Sequence, residues 1–425
     1  MTGSMIAAMM VMFAISIPVA VAIGIAALIG LAGFTTLPLI VTAQQVFIAL
    51  DRFPLAAIPF FILAGNLMEV GGLSRRLVEL ARAFVGGIQG GLAATCIVTC
   101  MIFAAISGSS VATTFAVGSV LIPALKRYGY PVGFAAALQA TAAELGVIIP
   151  PSIPMILFGV ATQTSIPDLF IAGFGPGLLI SAALIVTVLI WCRIKGWGKR
   201  DGEGRLSKGV AIRQAFWAIL MPVIVLGGIY GGVTTPTEAS VVAVVYALLV
   251  GLFLHRELTF SGLFPIFKKS VVSSAVIMFI IATASLFSYL LNRQGVPDAA
   301  AAWLAATFEG PAMYMLAVNV FLFIVGMFIE TSASIIVLAP ILAEAAQRVG
   351  VDSVHFGTVM VVNLALGMIT PPFGVNLFAA AQVAGCSVDK MLKPLLIFIG
   401  VILGCLLMIT YIPAISLFLR DTVMR

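Results

Sequence analysis

Two matching segments constrain the fold of this chain more than any other feature of its sequence. Residues 145–152 read Leu-Gly-Val-Ile-Ile-Pro-Pro-Ser, and residues 366–373 read Leu-Gly-Met-Ile-Thr-Pro-Pro-Phe. Each segment lies inside a run that is apolar enough to cross a bilayer. A Pro-Pro pair removes two backbone donors and disfavours helix in the residue before it. Each run is therefore predicted to form two half-helices joined by unwound backbone.

Unwound backbone is costly inside a membrane. In hydrocarbon, an unpaired backbone group is tolerated only where protein, water or an ion satisfies it, so a break of this kind normally lines a cavity. Two matching breaks in corresponding positions of two halves are typical of the binding site of a secondary transporter. We therefore expect the two breaks to mark the functional centre of this chain.

The composition supports a membrane location. Of the 425 residues, 62% are hydrophobic and 9% are charged, whereas a soluble chain of this length needs a more polar surface. The net charge of +6 does not indicate a nucleic-acid partner, because the basic residues lie in short loops between apolar runs. No Lys or Arg precedes Arg52, so the first apolar run, residues 5–30, is predicted to be a retained span kinked at Pro18.

Polar residues interrupt two further apolar runs, and each interruption precedes one of the breaks. Residues 90–125 are interrupted by Ser-Gly-Ser-Ser at 107–110, and residues 315–342 are interrupted by Glu-Thr-Ser-Ala-Ser at 330–334. Two helical arms that meet at a small polar tip are typical of a re-entrant hairpin. For the first run alone, a continuous span with a Ser/Gly packing patch explains the sequence as well. The parallel arrangement in the second half favours a hairpin in both.

The loop charges predict how the two halves are oriented. Residues 193–213 carry seven basic and two acidic residues, Asp201 and Glu203, which places this loop in the cytoplasm. In the first half, the basic residues Lys126 and Arg127 follow the hairpin. In the second half, the basic residues Lys390 and Lys393 follow the break instead. Because the positive side is exchanged between matching loops, the repeats are predicted to be inverted. The first hairpin then enters from inside and the second from outside.

These elements predict a single all-α integral membrane domain over residues 1–425, built as a polytopic helical bundle with two inverted repeats. Residues 74–84 alternate charged and apolar faces at helical spacing and are predicted to form an interfacial linking helix. Glu238 is either an ion-pathway carboxylate or a helix cap after Pro236, and the cap is favoured. The predicted parts are scaffold helices with the linking helix (1–85), transport repeat 1 (86–192), a cytoplasmic loop with further scaffold helices (193–305), transport repeat 2 (306–394) and a final helix (395–425).

The tips and breaks together predict two small cation sites near the middle of the membrane. Backbone carbonyls and hydroxyl groups are hard oxygen donors, which suit Na⁺ without an ionised ligand. The first site would use Ser107, Gly108 and Ser109 with Gly146, Ile149 and Pro151. The second would use Thr331 and Ser332 with Gly367, Thr370 and Pro372. For each hydroxyl, the alternative is a bond to a carbonyl of its own helix.

Four polar residues beside the breaks are predicted to contact a polar substrate: Ser110, Glu144, Ser152 and Asn376. Glu144 is an acid inside an otherwise apolar arm, and carboxylates within membranes are rare and usually functional. It has three open roles, which are to carry a proton, to hold a positive group, or to brace the unwound segment.

Enzymatic chemistry has no support in the sequence. The five cysteines and two histidines form no cluster with metal-ligand spacing, and there is no P-loop motif. No Ser/His, Asp/Asp or His/Glu set falls at a catalytic spacing. Neither catalytic residues nor an organic cofactor is expected, and Na⁺ is the only ion predicted.

Taken together, five motifs resemble the large membrane subunit of tripartite ATP-independent periplasmic (TRAP) transporters, the DctM-like family. They cover residues 107–110, 146–155, 171–177, 235–239 and 367–376. The resemblance implies an elevator-type importer in the bacterial inner membrane that is driven by a Na⁺ gradient. It also implies that the two tip-and-break regions are the Na⁺ sites. Glu144 departs from the family pattern, in which a small or hydroxyl residue is common.

The same resemblance implies two protein partners, a small four-helix membrane subunit and a soluble periplasmic substrate-binding protein. The implied substrate is an organic acid, either a C4-dicarboxylate or a related carboxylate such as sialic acid. The alternative is a stand-alone ion-coupled anion carrier or antiporter of similar inverted-repeat fold, which would need no partner chains.

Overall fold

The computed structural model describes residues 1–15, 17–199, 205–308, 310–372 and 374–423. Phe373 of the second break and the loop acids Asp201 and Glu203 lie outside the described residues. Throughout the described ranges the regular structure is helical, with no β-strand. By length and composition, seven of these helices can cross a membrane, or eight if one bent pair counts as a single span. The prediction of a polytopic helical membrane protein is confirmed.

The N-terminal region contains five α-helices and a short 3₁₀ turn at Phe53–Ala56. The helices are α1 (Thr2–Ala14), α2 (Val19–Phe34), α3 (Ile40–Leu50), α4 (Ala57–Val70) and α5 (Leu73–Val85). α5 is the predicted linking helix, with its apolar face buried against α12 (Lys208–Tyr230) and α6 (Gly91–Ser107).

The prediction of one kinked span over residues 5–30 is wrong. The backbone of Pro18 is extended, and α1 folds back along α2. The Met5 side chain fills the space where Gly30 has no side chain. In one straight helix these two residues would be roughly 37 Å apart, at about 1.5 Å per residue. Because Pro18 supplies no backbone donor, the chain turns at that point instead of bending.

The first repeat contains the predicted hairpin and broken helix. After α6 come α7 (Ser110–Arg127), α8 (Val132–Ala143), α9 (Leu145–Ile148), α10 (Ile153–Thr162) and α11 (Ile166–Lys195). Gly108 turns the chain between α6 and α7 with a φ of +62°, a conformation that favours glycine. Both arms contact Gln139 of α8, which accepts a hydrogen bond from Cys96 and donates one to the carbonyl of Thr113. The arms therefore lie side by side as a hairpin.

The middle region supplies three more long helices and one short one. α12 is followed by α13 (Pro236–Leu249), a π-helical turn at Val250–Leu254, α14 (Phe260–Arg293) and α15 (Val296–Thr307). Glu238 forms a reciprocal capping box with Thr235 at the start of α13. This geometry agrees with the cap that the sequence favours for Glu238.

The second repeat follows the same order. It contains α16 (Gly310–Phe328), α17 (Thr331–Arg348), α18 (Ser353–Met368), α19 (Val375–Ala384), α20 (Asp389–Tyr411) and α21 (Ala414–Val423). Tyr314 near the start of α16 donates a hydrogen bond to the carbonyl of Leu342 in α17, so these arms also form a hairpin. The single final helix predicted for residues 395–425 is wrong, because the chain breaks near Pro413 and α21 packs against α11 as a separate helix.

The two repeats exchange their packing partners. α10, which follows the first break, packs against α17 of the second hairpin. α19, which follows the second break, packs against α7 of the first hairpin. Each repeat thus completes the other around one common centre.

Candidate functional site

The first hairpin tip touches the first break through the backbone of Gly108. A Cβ added to Gly108 would lie 2.8 Å from the carbonyl oxygen of Pro151, so only glycine allows this approach. The N–H of Ile153, at the start of α10, donates to the Gly108 carbonyl at 3.3 Å. The first N–H groups of a helix have no acceptor within that helix, and the Gly108 carbonyl provides an acceptor for one of them at the start of the second half-helix.

Three oxygen atoms cluster at this junction. The hydroxyls of Ser107 and Thr113 lie 2.9 Å apart, and the Thr113 hydroxyl donates to the carbonyl of Ser109 at 2.8 Å. A Cβ added to Gly146 would lie 2.7 Å from both the Ser109 carbonyl and the Thr113 hydroxyl. The structure thus brings together the predicted residues Ser107, Gly108, Ser109, Gly146 and Pro151. Such a set of uncharged oxygens has the donor chemistry that a Na⁺ ion needs.

Sequence reasoning missed Thr113, whose side chain is fully buried in this cluster. The available signal was its spacing, because Thr113 lies four residues after Ser109 and so occupies the same face of α7. Ser334 has the same spacing from Glu330 at the second tip. The Ser334 hydroxyl is buried without a hydrogen-bond partner among the described residues. An orphaned buried oxygen of this kind fits a cation ligand.

Other residues of the first break have structural roles. Ser152 caps α10: its hydroxyl accepts from the N–H of Met155 at 3.3 Å and donates to the carbonyl of Val147. The side chain of Ile149 fills the space beside Gly177 of α11. The glycines of residues 173–177 therefore allow α11 to approach the break closely. In this geometry the Ser152 hydroxyl is occupied within its own segment.

A carboxylate forms the second tip. Glu330 caps α17 by accepting hydrogen bonds from the N–H groups of Ser332 and Ala333, at 2.8 and 3.2 Å. It also accepts from the hydroxyl of Ser332 at 2.9 Å. Negative charge at a helix N-terminus is favourable, because the free N–H groups carry positive partial charge. Sequence reasoning placed Glu330 in the tip without assigning it a role, although an acid just before a helix is a usual capping signal.

The second tip and break meet at two points. The Thr331 hydroxyl lies 2.9 Å from the sulfur of Met368, and the backbones of Gly326 and Gly367 are in direct contact. The Thr370 hydroxyl donates to the Leu366 carbonyl of its own helix at 2.8 Å, which is the alternative role considered for each hydroxyl. Pro372 is exposed.

Asn376 connects the second repeat to the first. Its side-chain amide donates to Oε1 of Glu144 at 2.8 Å and to the carbonyl of Ala140 at 3.1 Å. Its carbonyl oxygen accepts from the hydroxyl of Thr114. The Glu144 side chain is buried, and the Ser110 side chain of α7 also lies within reach of its carboxylate. Glu144 and Asn376, both predicted to contact substrate, are therefore bonded to each other.

A cavity of about 310 Å³ lies where α3 and α14 face α10 and α17. Its polar lining comes from one cation and five uncharged side chains: Arg52, Gln45, Ser285, Ser288, Tyr289 and Asn292. None of Ser110, Glu144, Ser152 and Asn376 is part of its lining. The cavity separates helices of the predicted scaffold from helices of both repeats.

The comparison with protein families gives the decisive observation. Residues 6–415 match the family model described as the tripartite ATP-independent periplasmic transporter, DctM component. This chain belongs to the DctM family. DctM proteins are transporter permeases and not enzymes, which agrees with the absence of catalytic sets in the sequence.

Relatives of this DctM chain carry several substrate names. The isethionate TRAP transporter permease protein DctMQ of Oleidesulfovibrio alaskensis is 44% identical over 384 residues, which are 90% of this chain and 60% of that protein. The C4-dicarboxylate large permease protein DctM of Pseudomonas aeruginosa is 43% identical, with 89% of each chain covered. The ectoine large permease protein TeaC of Halomonas elongata is 34% identical, with 100% of this chain and 99% of that one covered.

A solved structure supports the fold of this DctM chain. The YdaH transporter of Alcanivorax borkumensis superposes with a TM-score of 0.63 at 14% sequence identity. The match covers 87% of this chain and 86% of that one. At this identity the likeness concerns the fold alone.

Proposed function

We propose that this chain is the large permease subunit of a tripartite importer that couples uptake of a small organic acid to the Na⁺ gradient. The observation that carries the proposal is the junction of each hairpin tip with a proline-broken helix. At the first junction, Ser107, Ser109 and Thr113 present three oxygens against Gly146. Two such junctions within one helical unit would allow ion and substrate to move together.

Na⁺ is the proposed coupling ion because hydroxyl and carbonyl oxygens are available at both junctions, while the Glu330 carboxylate at the second tip already accepts from the N–H groups of Ser332 and Ala333. In the first junction, hydroxyls that now bond to each other would turn their lone pairs toward the ion. In the second, the unpartnered Ser334 hydroxyl and the Thr331 hydroxyl would join carbonyls of residues 367–372. A hard cation of low charge prefers such a donor set, whereas softer metals prefer sulfur or imidazole.

The proposed substrate is a C4-dicarboxylate or a related small acid, following the names of relatives at 34–44% identity. The 310 Å³ cavity beside α10 and α17 is the proposed entry for this acid. Arg52 supplies a positive charge there, and hydroxyl and amide groups supply hydrogen bonds. This combination suits a carboxylate that arrives from the periplasmic side.

An elevator mechanism is proposed for the movement. The reciprocal packing of α10 on α17 and α19 on α7 makes the two repeats one unit, which supports movement of both ion sites together. α3 and α4 both pack against α14, and these three helices would form the stationary scaffold in the inner membrane. The inverted orientation of the repeats rests on the loop charges and belongs to the same proposal.

The proposed partners are a small four-helix membrane subunit and a periplasmic binding protein that delivers the acid. Reconstitution tests each part of the proposal. Proteoliposomes with this chain, the small subunit and the loaded binding protein are expected to accumulate succinate only under an inward Na⁺ gradient. Transport by this chain alone would favour the stand-alone carrier, and unchanged uptake with choline in place of Na⁺ would refute sodium coupling.

A further inference from the structure

Two adjoining cavities lie at the end of the molecule where the linking helix α5 meets α12. One has a volume of about 560 Å³ and is lined by Arg75, Arg76, Glu79, Leu206, Gln214 and Glu257. The other has a volume of about 410 Å³ and is lined by Arg76, Val210, Arg213, Gln214, Trp217 and His255. Arg76 and Gln214 belong to both linings, so the two cavities adjoin each other, and together we call them the α5–α12 cleft.

The α5–α12 cleft carries a surplus of positive charge. Arg76 is the arginine that is neutralised, because it forms an ion pair with Glu257 at 2.7 Å. Its other hydrogen bond goes to the carbonyl of Gly72, which fixes the guanidinium between the two cavities. Within the described ranges, neither Arg75 nor Arg213 pairs with a carboxylate. Among the described residues of the cleft, three arginines thus face two acids, and Arg75 and Arg213 each pair with neither acid.

The outer side of the cleft is apolar. Trp217 and Val210 of α12 form part of the second lining, and Val210 is 45% exposed. Tryptophan prefers the boundary between headgroups and acyl chains. The cleft therefore presents cations beside apolar side chains of α12.

We propose that the α5–α12 cleft binds the headgroup of an anionic phospholipid, with cardiolipin as the best match. Guanidinium groups bind phosphate in a bidentate geometry, and basic pockets between membrane helices are known to hold phosphate-bearing headgroups. Arg75 and Arg213 would each take one phosphate of cardiolipin, and Arg76 lies between them. The acyl chains would lie beside Val210 and Trp217.

A lipid in this cleft would brace the first hairpin. α5 packs against α12 on one side and against α6, the first arm of that hairpin, on the other. A headgroup that bridges α5 and α12 holds the linking helix at the interface while the repeats move. The inference concerns lipid binding alone, so it stands or fails independently of the substrate, the coupling ion and the partner subunits.

The test uses the purified full chain in detergent, with bound lipid counted by native mass spectrometry and melting temperature measured during lipid titration. Cardiolipin is expected to remain bound and to raise the melting temperature, whereas phosphatidylcholine does neither. The double variant R75Q/R213Q is expected to bind cardiolipin about thirtyfold more weakly, at roughly fivefold for each surface arginine.

Lys268→Gln is the matched control, because Lys268 is an exposed cation on α14 outside the cleft. This variant is expected to bind cardiolipin like the wild type. The single variants R75Q and R213Q replace the double variant if it does not purify as a folded protein. Unchanged binding by the arginine variants, an equal loss in K268Q, or equal stabilisation by inorganic phosphate alone would each overturn the proposal.

Discussion

The side-chain amide of Asn376 donates a hydrogen bond to Oε1 of Glu144 at 2.8 Å, although 232 positions separate the two residues in the chain. Both side chains are buried, and they belong to opposite repeats. The amide also bonds to the carbonyl of Ala140 and to Thr114, so one side chain bridges α19, α8 and α7. A polar bridge of this kind keeps the repeats in register, because each member loses its partner if they separate.

Replacing Asn376 by alanine is expected to lower the free energy of unfolding by about 2–3 kcal/mol, because it leaves Glu144 and Ala140 without a donor in a buried site. Uptake should fall to background even when the protein remains folded. Asn66→Ala is the matched control, since Asn66 is a buried scaffold amide that bonds to Ser270 at 2.8 Å. That control should lose stability but keep transport. Wild-type uptake by N376A would show that the bridge is dispensable.

The Thr113 hydroxyl is expected to contribute to sodium binding. Thr113→Val keeps the shape of the side chain and removes one oxygen from the first junction, so the Na⁺ concentration for half-maximal uptake should rise about tenfold. Thr95→Val provides the control. The Thr95 hydroxyl is equally buried and bonds, as that of Thr113 does, to the carbonyl four residues before it, but Thr95 lies at the end of α6 away from the tip. Equal shifts in both variants would mean that Thr113 acts through helix packing.

Gly367 is expected to tolerate no side chain. A Cβ on Gly367 would overlap the backbone of Gly326, and backbone cannot move aside as a flexible side chain does. Gly367→Ala should therefore cost about 1–3 kcal/mol of stability and abolish uptake. Gly227→Ala in α12 is the control, because no described atom lies within 4 Å of the added Cβ. This variant should keep the melting temperature of the wild type. A G367A protein as stable and active as the wild type would exclude the close contact between α16 and α18.

The capping carboxylate Glu238 should contribute to stability. It accepts hydrogen bonds from the N–H and the hydroxyl of Thr235, at 2.8 and 2.9 Å. A carboxylate accepts such bonds more strongly than an amide oxygen does. Glu238→Gln should therefore melt at a lower temperature than the wild type in a thermal unfolding experiment.

The same variant separates the two roles considered for Glu238. A cap predicts that E238Q transports normally once folded, whereas an ion-pathway carboxylate predicts loss of uptake at full folding. Asp168→Asn is the control. Asp168 also lies in the first turn of a helix and its N–H donates to the Ser165 hydroxyl, but its carboxylate accepts no hydrogen bond among the described residues. A loss of melting temperature in D168N as large as in E238Q would point to a general charge effect.

Much of the first site was predictable, because its residues are close in sequence to features with local causes. Gly108 takes a positive φ that favours glycine, the adjacent prolines of residues 150–151 remove two backbone donors, and Ser109 is a usual helix cap. Thr113 was not predicted, because its place in the junction depends on a contact with Gly146 of another helix, which the sequence alone does not show. The packing of α1 back along α2 was missed for a similar reason, because hydropathy shows how long an apolar run is but not whether the chain reverses its direction within that run.

The sequence by itself determined the class of protein, the positions of both breaks and both hairpin tips, and the cap at Glu238. These features depend on hydropathy and on backbone chemistry that acts over a few residues. The tertiary structure alone decided that Asn376 bonds to Glu144, that Gly326 touches Gly367, and that α10 and α19 pack against the opposite repeat. Such contacts join residues far apart in the chain, and their energy arises only when two packed surfaces meet, so no local pattern encodes them.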